Sequence, residues 1–342
     1  MKNLRRLIVL TTLSLMMSSC GILRDSYEAQ QDYLVPKHLL ETNKEYENIW
    51  DLSNIRVGAD TFNHPRIVGT SGKIIANGAK QGWFSSGSVF GIDSINGEVV
   101  WEISGDTEGD MFAQNKTLYL GTVGTANLKS YNIENGELLW STPLFRGHSV
   151  SSIYYSENKL FVGDSNEMFF ILNEQGEVLD SFYLPYRPFL ELGGVLYRQD
   201  NFSIRAVELS SKKELWILDI GKRFTHSPIF DNGEILLRTE SEPTNIYSID
   251  QHAGKVTWMI SQDILSNLCV IGDKIYFTNR DSYLVVINRY SGNEISRVRF
   301  SPQFDLDKQI GSYSVACDKK NNILAVTFRD NTEIMGLKIL NP

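Results

Sequence analysis

Cysteine has the most reactive side chain in this sequence, and it occurs three times, as Cys20, Cys269 and Cys317. Cys269 and Cys317 each precede a similar apolar segment, Lys274-Ile-Tyr and Asn322-Ile-Leu, which places them at equivalent positions of neighbouring inner strands in a repeating fold. A disulfide requires Cα atoms within about 7 Å of each other. Otherwise both residues are buried thiols, a common state of free cysteine. The sequence leaves the two alternatives open.

Histidine and arginine offer metal-binding and anion-binding chemistry. Three of the five histidines, His64, His148 and His226, precede predicted inner strands. Imidazole is a good zinc ligand, but these residues are spread around the predicted ring, so we predict no metal site and no cofactor. Four arginines near loops of consecutive repeats have an acidic residue within two positions and are expected to pair with it locally: Arg198, Arg238, Arg280 and Arg329.

Cys20 lies at the end of a segment organised like a signal peptide. Lys2, Arg5 and Arg6 precede an uncharged apolar stretch over residues 7–17, the length of a signal-peptide hydrophobic region. The following Met17-Ser-Ser-Cys20-Gly resembles the lipobox of bacterial lipoproteins. That resemblance implies a signal peptide over residues 1–19, lipidation of Cys20 and a polar tether over residues 20–45. The alternative is an ordinary secretory signal.

Two segments carry residues suited to contact with a partner. Trp83 and Phe84 lie in a long glycine-rich stretch between two apolar runs, and large apolar groups on a loop suggest a contact surface. Tyr186 and Arg187 lie between Pro185 and Pro188, which stiffen the loop and lower the entropy lost on binding. We therefore predict these four residues as partner-binding candidates. The alternative is that both loops are only architectural.

All of these residues are positioned by a repeated unit, which consists of a turn followed by a strand. Asp93-Ser-Ile-Asn-Gly97-Glu-Val-Val-Trp101 combines a side chain that bonds the turn backbone, a glycine that closes the turn and an apolar strand. Variants recur about every 40 residues, the period of a four-stranded propeller blade. They are found at Asn132–Trp140, Asn173–Asp180, Glu208–Trp216, Asp250–Trp258 and Asn288–Ser296. We expect each tryptophan to end its strand and to act as a wedge between blades.

The repeats predict an all-β, seven-bladed propeller domain over residues 46–342, with eight blades as the alternative. Six turns mark six blades, and a seventh starts near Ile310 but ends after three strands. Trp50 lies ahead of the first blade, in a segment that resembles a fourth strand with its tryptophan. We therefore expect the N-terminal strand to complete the last blade and close the ring, which removes an exposed sheet edge.

Composition limits the possible functions. Of 342 residues, 42% are hydrophobic, enough for a large core and too many for a chain disordered throughout. The formal net charge of -8 argues against nucleic-acid binding, which normally needs a basic patch. No apolar run reaches the roughly 18 residues of a membrane-spanning helix.

The Asp-x-x-x-Gly-Glu-x-x-Trp pattern resembles the repeat of quinoprotein-like propellers. With the lipobox, the chain resembles the BamB-type propeller lipoproteins of the outer-membrane β-barrel assembly machine. This resemblance implies an extracytoplasmic scaffold that binds proteins in envelope or outer-membrane assembly, held by its lipid at a bacterial membrane. In a cell with an outer membrane, the lipid would hold the protein at the periplasmic face of that membrane. A small-ligand or glycan-binding propeller is the alternative. A quinoprotein dehydrogenase is not expected, because the adjacent cysteine pair of those enzymes is missing from the sequence.

Overall fold

The computed structural model describes residues 45–52, 55–57, 67–70, 72–80, 87–105, 110–122, 127–144, 149–164, 166–183, 187–199, 202–224, 228–239, 243–281, 283–299, 314–328 and 333–340. These residues form seven antiparallel sheets. None of them belongs to a helix, so this part of the chain has no helix able to cross a membrane.

Each sheet is one blade of a β-propeller, with strands A to D running from the central channel outward. The chain begins with β1 (Tyr46–Leu52), which belongs to the last blade. Blade 1 contains β2 (Ile55–Val57), β3 (Ile67–Thr70), β4 (Lys73–Lys80), β5 (Ser88–Asp93) and β6 (Val99–Ser104). Blade 2 contains β7 (Met111–Gln114), β8 (Thr117–Gly121), β9 (Asn127–Asn132) and β10 (Leu138–Pro143). Blade 3 contains β11 (Val150–Ser156), β12 (Lys159–Asp164), β13 (Met168–Asn173) and β14 (Val178–Tyr183).

The second half of the ring repeats this plan. Blade 4 contains β15 (Arg187–Leu192), β16 (Val195–Gln199), β17 (Ser203–Glu208) and β18 (Glu214–Asp219). Blade 5 contains β19 (Ile229–Asp231), β20 (Glu234–Arg238), β21 (Asn245–Asp250) and β22 (Val256–Ser261). Blade 6 contains β23 (Cys269–Ile271), β24 (Lys274–Thr278), β25 (Tyr283–Asn288) and β26 (Glu294–Arg299). Blade 7 contains β27 (Val315–Asp318), β28 (Ile323–Phe328), β29 (Glu333–Ile339) and β1.

The N-terminal strand closes the ring. β1 pairs antiparallel with β29, from Tyr46 opposite Ile339 to Leu52 opposite Ile334, so it is strand D of blade 7. Tyr46 and Trp50 of this strand are both buried. The predictions of seven four-stranded blades and of N-terminal closure are therefore confirmed. Blade 1 adds one detail, because β2 and β3 pair with successive parts of β4 and its inner edge is made of two strands.

The turn between strands C and D is built as its sequence predicts. In blade 1 the Asp93 side chain accepts a hydrogen bond from the Ile95 backbone N–H at 3.0 Å, and the Gly97 N–H donates to the Asp93 carbonyl at 2.9 Å. Gly97 has a φ of 74°, in the left-handed region that glycine adopts without steric cost. The same side-chain bond is made in blades 2, 3, 5 and 6 by Asn132, Asn173, Asp250 and Asn288.

The tryptophans are wedges between neighbouring blades, as expected. The indole of Trp101 lies over Gly136 of blade 2, and its Nε1–H donates to the Ile133 carbonyl there at 2.6 Å. Four other indoles make the equivalent bond to a carbonyl of the next blade: Trp50 to Ser94, Trp140 to Glu174, Trp216 to Gln251 and Trp258 to Arg289. Each such bond satisfies the one polar group of a large apolar ring that the interface buries.

The position of the tryptophan in its strand differs from the prediction. The sequence places it at the end of strand D, whereas Trp101 is the third residue of β6 and Trp140 is the third residue of β10. A β-bulge precedes it, because the pairing register shifts between Val99 and Trp101 and again between Leu138 and Trp140. The bulge adds one residue and a local twist, which turn the indole toward the next blade.

Candidate functional site

Strand direction divides the connections of the propeller between two faces. Because strands alternate in direction, A–B and C–D turns lie on one face, the turn face, and B–C and D–A connections lie on the other, the loop face. β14 ends at Tyr183 and β15 begins at Arg187, both at the loop face. Lys80 and Ser88, which end β4 and begin β5, lie at the same face.

The predicted site residues lie outside the described part of the chain or at its edge. Cys20, Trp83, Phe84 and Tyr186 are outside the described residues. Arg187 is the first residue of β15 and pairs with Gln199, but its side chain is outside the description. The predicted lipidation site and the four partner-binding candidates therefore remain predictions. His64, His148 and His226 are also outside the described residues.

Two described aromatic residues lie at strand ends on the loop face, one in blade 3 and one in blade 4. Tyr183 is 63% exposed, and its hydroxyl donates to the Glu167 carboxylate at 2.5 Å. This hydrogen bond raises the pKa of the Tyr183 phenol, since the phenolate would repel Glu167. Phe202, just before strand C of blade 4, is 48% exposed. Neither residue was among the predicted site residues, although each is a large aromatic at a strand end.

The inner strands of all seven blades surround a central cavity of about 740 Å³. Its walls include apolar residues such as Ile67, Met111 and Leu268. They also include charged residues from both ends of the channel: Asp110, Asp231, Arg238, Lys319 and Lys320. The volume lies in the range of small-molecule sites, which are about 300–1,000 Å³.

Several buried polar side chains of the cavity wall join neighbouring blades. The carboxylate of Asp110 in blade 2 accepts a hydrogen bond from the Ile153 N–H in blade 3 at 2.8 Å. The guanidinium of Arg238 in blade 5 donates to the Ser266 and Ile264 carbonyls of blade 6 at 2.6 and 2.9 Å. These bonds satisfy backbone groups that have no sheet partner. The acidic residue expected to pair with Arg238, at position 240, is outside the described residues.

The two inner-strand cysteines form a disulfide that also lines the cavity. Cys269 of β23 and Cys317 of β27 have Cα atoms 6.0 Å apart and are bonded through sulfur. They occupy equivalent inner strands of blades 6 and 7, as predicted from the sequence. Of its two open alternatives, the structure has the disulfide. Asn267 strengthens the same boundary, because its side chain exchanges two hydrogen bonds with the Val315 backbone at 2.7 and 2.9 Å.

Comparisons with known proteins agree with this architecture. The crystal structure of BamB from Moraxella catarrhalis superposes with a TM-score of 0.52 at 12% identity, covering 87% of this chain and 98% of that one. A chain of the mitotic checkpoint complex superposes with a TM-score of 0.63 at 9% identity, covering 87% and 94%. At these identities the two structures show a shared fold alone. A search of curated proteins found no match.

The family comparison is more specific than the structural one. A family model described as outer membrane protein assembly factor BamB matches residues 85–185 and 185–303. The matched segments contain the repeats from Trp101 to Trp258 and make up more than half of the chain. The chain therefore belongs to the β-propeller family of outer membrane protein assembly factor BamB.

Proposed function

We propose that this protein is a membrane-tethered scaffold that binds a protein partner during outer-membrane protein assembly. The observation that carries the proposal is the match of the BamB family model to the propeller repeats. A closed ring of rigid blades holds its loops in fixed positions, which lowers the entropy cost of binding a partner. The protein acts by binding rather than by catalysis.

We further propose that lipidated Cys20 holds the propeller at the membrane. The support is the charged, apolar and Ser-Ser-Cys pattern of the N-terminus. Cleavage before Cys20 would make its amine the new N-terminus, and acyl chains would be attached to both the thiol and this amine. Several chains would anchor the protein stably, because a single acyl chain gives only marginal membrane binding. Replacing Cys20 by Ala tests this step. The variant should leave the membrane fraction or accumulate unprocessed, and unchanged attachment with no lipid lost in mass spectrometry would contradict it.

The loop face is the surface we propose for the partner. Tyr and Arg are enriched at the energetic centres of interfaces. Tyr186 falls in the connection between β14 and β15, and Arg187 is the first residue of β15. The exposed aromatic side chains of Tyr183 and Phe202 on the same face support this choice. Trp83 and Phe84 fall in the connection between β4 and β5, which begins and ends at that face.

The test is affinity purification of the full-length protein from solubilised membranes. We expect a stoichiometric integral-membrane protein to copurify with the parent chain and to be lost with Tyr186→Ala plus Arg187→Ala at an unchanged melting temperature. Tyr290→Ala is the matched control, because Tyr290 is 71% exposed on the turn face. Full recovery with the double variant, or equal loss with the control, would show that the loop is only architecture.

The central cavity supports a second candidate function, the binding of a small ligand or glycan. The observation that favours it is a cavity of about 740 Å³ whose wall carries Arg238, Lys320 and Asp110. Titration of the propeller with neutral and anionic sugars, followed by calorimetry, tests it. Binding that disappears in Lys320→Ala would support a ligand role, whereas heats equal to those of dilution would exclude it for these sugars.

A further inference from the structure

The outer strands expose apolar side chains at one repeated position. The bulge before the tryptophan position leaves one residue of strand D outside the pairing register, and this is Val100 in blade 1, Leu139 in blade 2 and Leu179 in blade 3. These side chains are 44%, 53% and 54% exposed. The residue before each is also an exposed aliphatic side chain: Val99, Leu138 and Val178. Three neighbouring blades therefore each present a pair of exposed aliphatic residues.

The charges around these pairs differ between the two halves of the ring. The C–D turns and outer strands of blades 1 to 3, residues 93–104, 132–143 and 173–183, contain acidic residues and no Lys or Arg. The acidic residues are Asp93, Glu98, Glu102, Glu134, Glu137, Glu174, Glu177 and Asp180. The same segments of blades 4 to 6 mix both signs, with basic residues at Lys212, Lys213, Lys255, Arg289, Arg297 and Arg299.

Among the described residues, some of these carboxylates have a basic partner and others have only neutral ones in the contacts shown. Lys73 lies 3.4 Å from Asp93 and 3.6 Å from Glu134, so it offsets part of the charge of these two. The contacts of the next acidic residues are neutral: Glu137 accepts from the Asn135 amide, Glu177 from the Asn173 amide and Glu174 from the Tyr155 hydroxyl. The hydrogen bond from the Tyr155 hydroxyl to the Glu174 carboxylate raises the pKa of Tyr155 to about 12.

The three edges form one continuous surface. Trp101 of blade 1 donates to the Ile133 carbonyl in the turn of blade 2 at 2.6 Å. Trp140 of blade 2 donates to the Glu174 carbonyl in the turn of blade 3 at 2.9 Å, and Thr142 donates to the Gly176 carbonyl at 2.7 Å. Each acidic turn is thus fixed against the outer strand of the preceding blade. Apolar pairs and carboxylates therefore alternate along a rigid arc.

We propose that the outer edges of blades 1 to 3 form an acidic, apolar docking surface for a protein whose own surface is basic and apolar. Charge complementarity selects such a partner, since carboxylates repel acidic surfaces, and the aliphatic pairs supply area that becomes buried on contact. An anionic membrane surface does not fit, because it repels the same carboxylates. The inference rests on the proposed protein-binding function but uses a surface separate from the loop face, so either can fail alone.

A binding assay on the full-length purified protein tests the surface. The probe is a short fluorescent peptide of alternating Lys and Leu, with Lys–Ser and Glu–Leu peptides for comparison. Leu139→Ser plus Leu179→Ser should weaken Lys–Leu binding about tenfold, and Glu98→Gln, Glu137→Gln and Glu177→Gln together should weaken it and flatten its salt dependence. The control is Leu215→Ser plus Ile295→Ser, the same bulge position in blades 4 and 6, which should leave binding unchanged. Equal loss in the control, or equal binding of the Lys–Ser peptide, would overturn the proposal.

Photo-crosslinking in intact membranes tests the same surface with its natural partner. A photoreactive residue in place of Leu139 should crosslink to a protein through a segment rich in Lys or Arg, and one in place of Leu215 should not. Crosslinking to lipid, or equal crosslinking from both positions, would overturn the proposal. The Tyr186→Ala plus Arg187→Ala variant is included in both experiments. If it loses the copurified partner and keeps the Lys–Leu peptide, the loop face and the outer edge act separately.

Discussion

The boundaries between blades are of two kinds, and the comparison shows what a propeller boundary requires. Five boundaries contain a tryptophan from the outer strand of one blade, seated on the glycine turn of the next. The boundaries from blade 3 to blade 4 and from blade 6 to blade 7 have Asp180 and Ser296 at the equivalent position. In blade 4 the turn position that is glycine elsewhere is Lys212, at a φ of 57°. The glycine is therefore lost where no indole must pack against it.

The residue beside the tryptophan on strand C follows the same rule. It is small in every blade that has the tryptophan: Gly336 beside Trp50, Gly91 beside Trp101, Ser130 beside Trp140, Ala206 beside Trp216 and Ser248 beside Trp258. A Cβ on Gly91 would lie 2.0 Å from Trp101 Cε2. In the two blades without tryptophan this residue is Ile171 or Val286. The wedge is thus a unit of three residues from three parts of the chain.

The two boundaries without tryptophan are held in different ways. Between blades 6 and 7, Tyr46 packs in a buried cluster with Tyr276, Val286 and Val298, and the Cys269–Cys317 disulfide joins the inner strands. Burial raises the pKa of the Tyr46 phenol. Between blades 3 and 4 the contacts are mainly apolar, with Phe169, Phe182 and Leu190 in one cluster. The boundary between blades 6 and 7 therefore has a covalent bond in place of the wedge.

Removing the closing strand should have the largest effect of any change to a boundary. Deletion of residues 46–52 removes Trp50 and Tyr46 and exposes the edge of β29, which opens the ring. We expect the variant to lose cooperative unfolding or to melt at least about 10 °C below the parent. Deletion of residues 21–40 is the control and should leave the melting temperature unchanged. Equal melting of the two deletion variants, measured by circular dichroism, would contradict the closure argument.

Much of this architecture could be predicted from the sequence because its signals are local. The Asp-to-Gly turn and the tryptophan lie together in a unit of nine residues, such as Asp93–Trp101. The number of blades and the closure of the ring therefore followed from counting these units. Two features depend on which residues pair across neighbouring strands, and the sequence does not show that pairing. One is the bulge in strand D. The other is the size of the residue opposite the tryptophan position, which is Gly91 opposite Trp101 and Ile171 opposite Asp180. The sequence could not decide whether Cys269 and Cys317 are bonded, because the distance between their Cα atoms is set by the packing of two blades. The four partner-binding candidates stay predictions, because Trp83, Phe84, Tyr186 and the side chain of Arg187 lie outside the described residues.

Removal of one wedge ranks next in expected effect. Trp101 is 8% exposed and lies between Gly91 and Gly136, so Trp101→Ala leaves a cavity at the boundary of blades 1 and 2. We expect a loss of about 3–5 kcal/mol in the free energy of unfolding, measured by denaturant titration. Leu139→Ala, an exposed change on the neighbouring outer strand, should cost less than about 0.5 kcal/mol. Similar losses in both variants would mean that the indole is not a wedge.

Reduction of the disulfide should weaken the boundary between blades 6 and 7 by a smaller amount. The bond closes a loop between residues 48 positions apart, and such bonds contribute about 2–4 kcal/mol, chiefly by restricting the unfolded chain. Dithiothreitol should therefore lower the melting temperature of the parent but leave that of Cys269→Ser plus Cys317→Ser unchanged. Hydrogen exchange of β23 and β27 should rise in the reduced protein. A parent that melts equally with and without reductant would show that Tyr46 and Asn267 suffice at this boundary.

The three-residue unit can also be built where it is missing, at the boundary between blades 3 and 4. Asp180→Trp alone should destabilise the protein, because Ile171 occupies the space beside it and Lys212 replaces the glycine that an indole packs on. Adding Ile171→Ser and Lys212→Gly recreates the surroundings of Trp140, which has Ser130 beside it and Gly176 below it. Adding the effects of the three single changes on the free energy of unfolding gives an expected value for the triple variant. We expect the measured value to exceed it by about 1 kcal/mol or more, because the effects of contacting residues are coupled. Denaturant titration of the three single variants and the triple gives this coupling directly. Additive free energies would mean that the tryptophan, its small neighbour and the next glycine are independent choices and not one wedge.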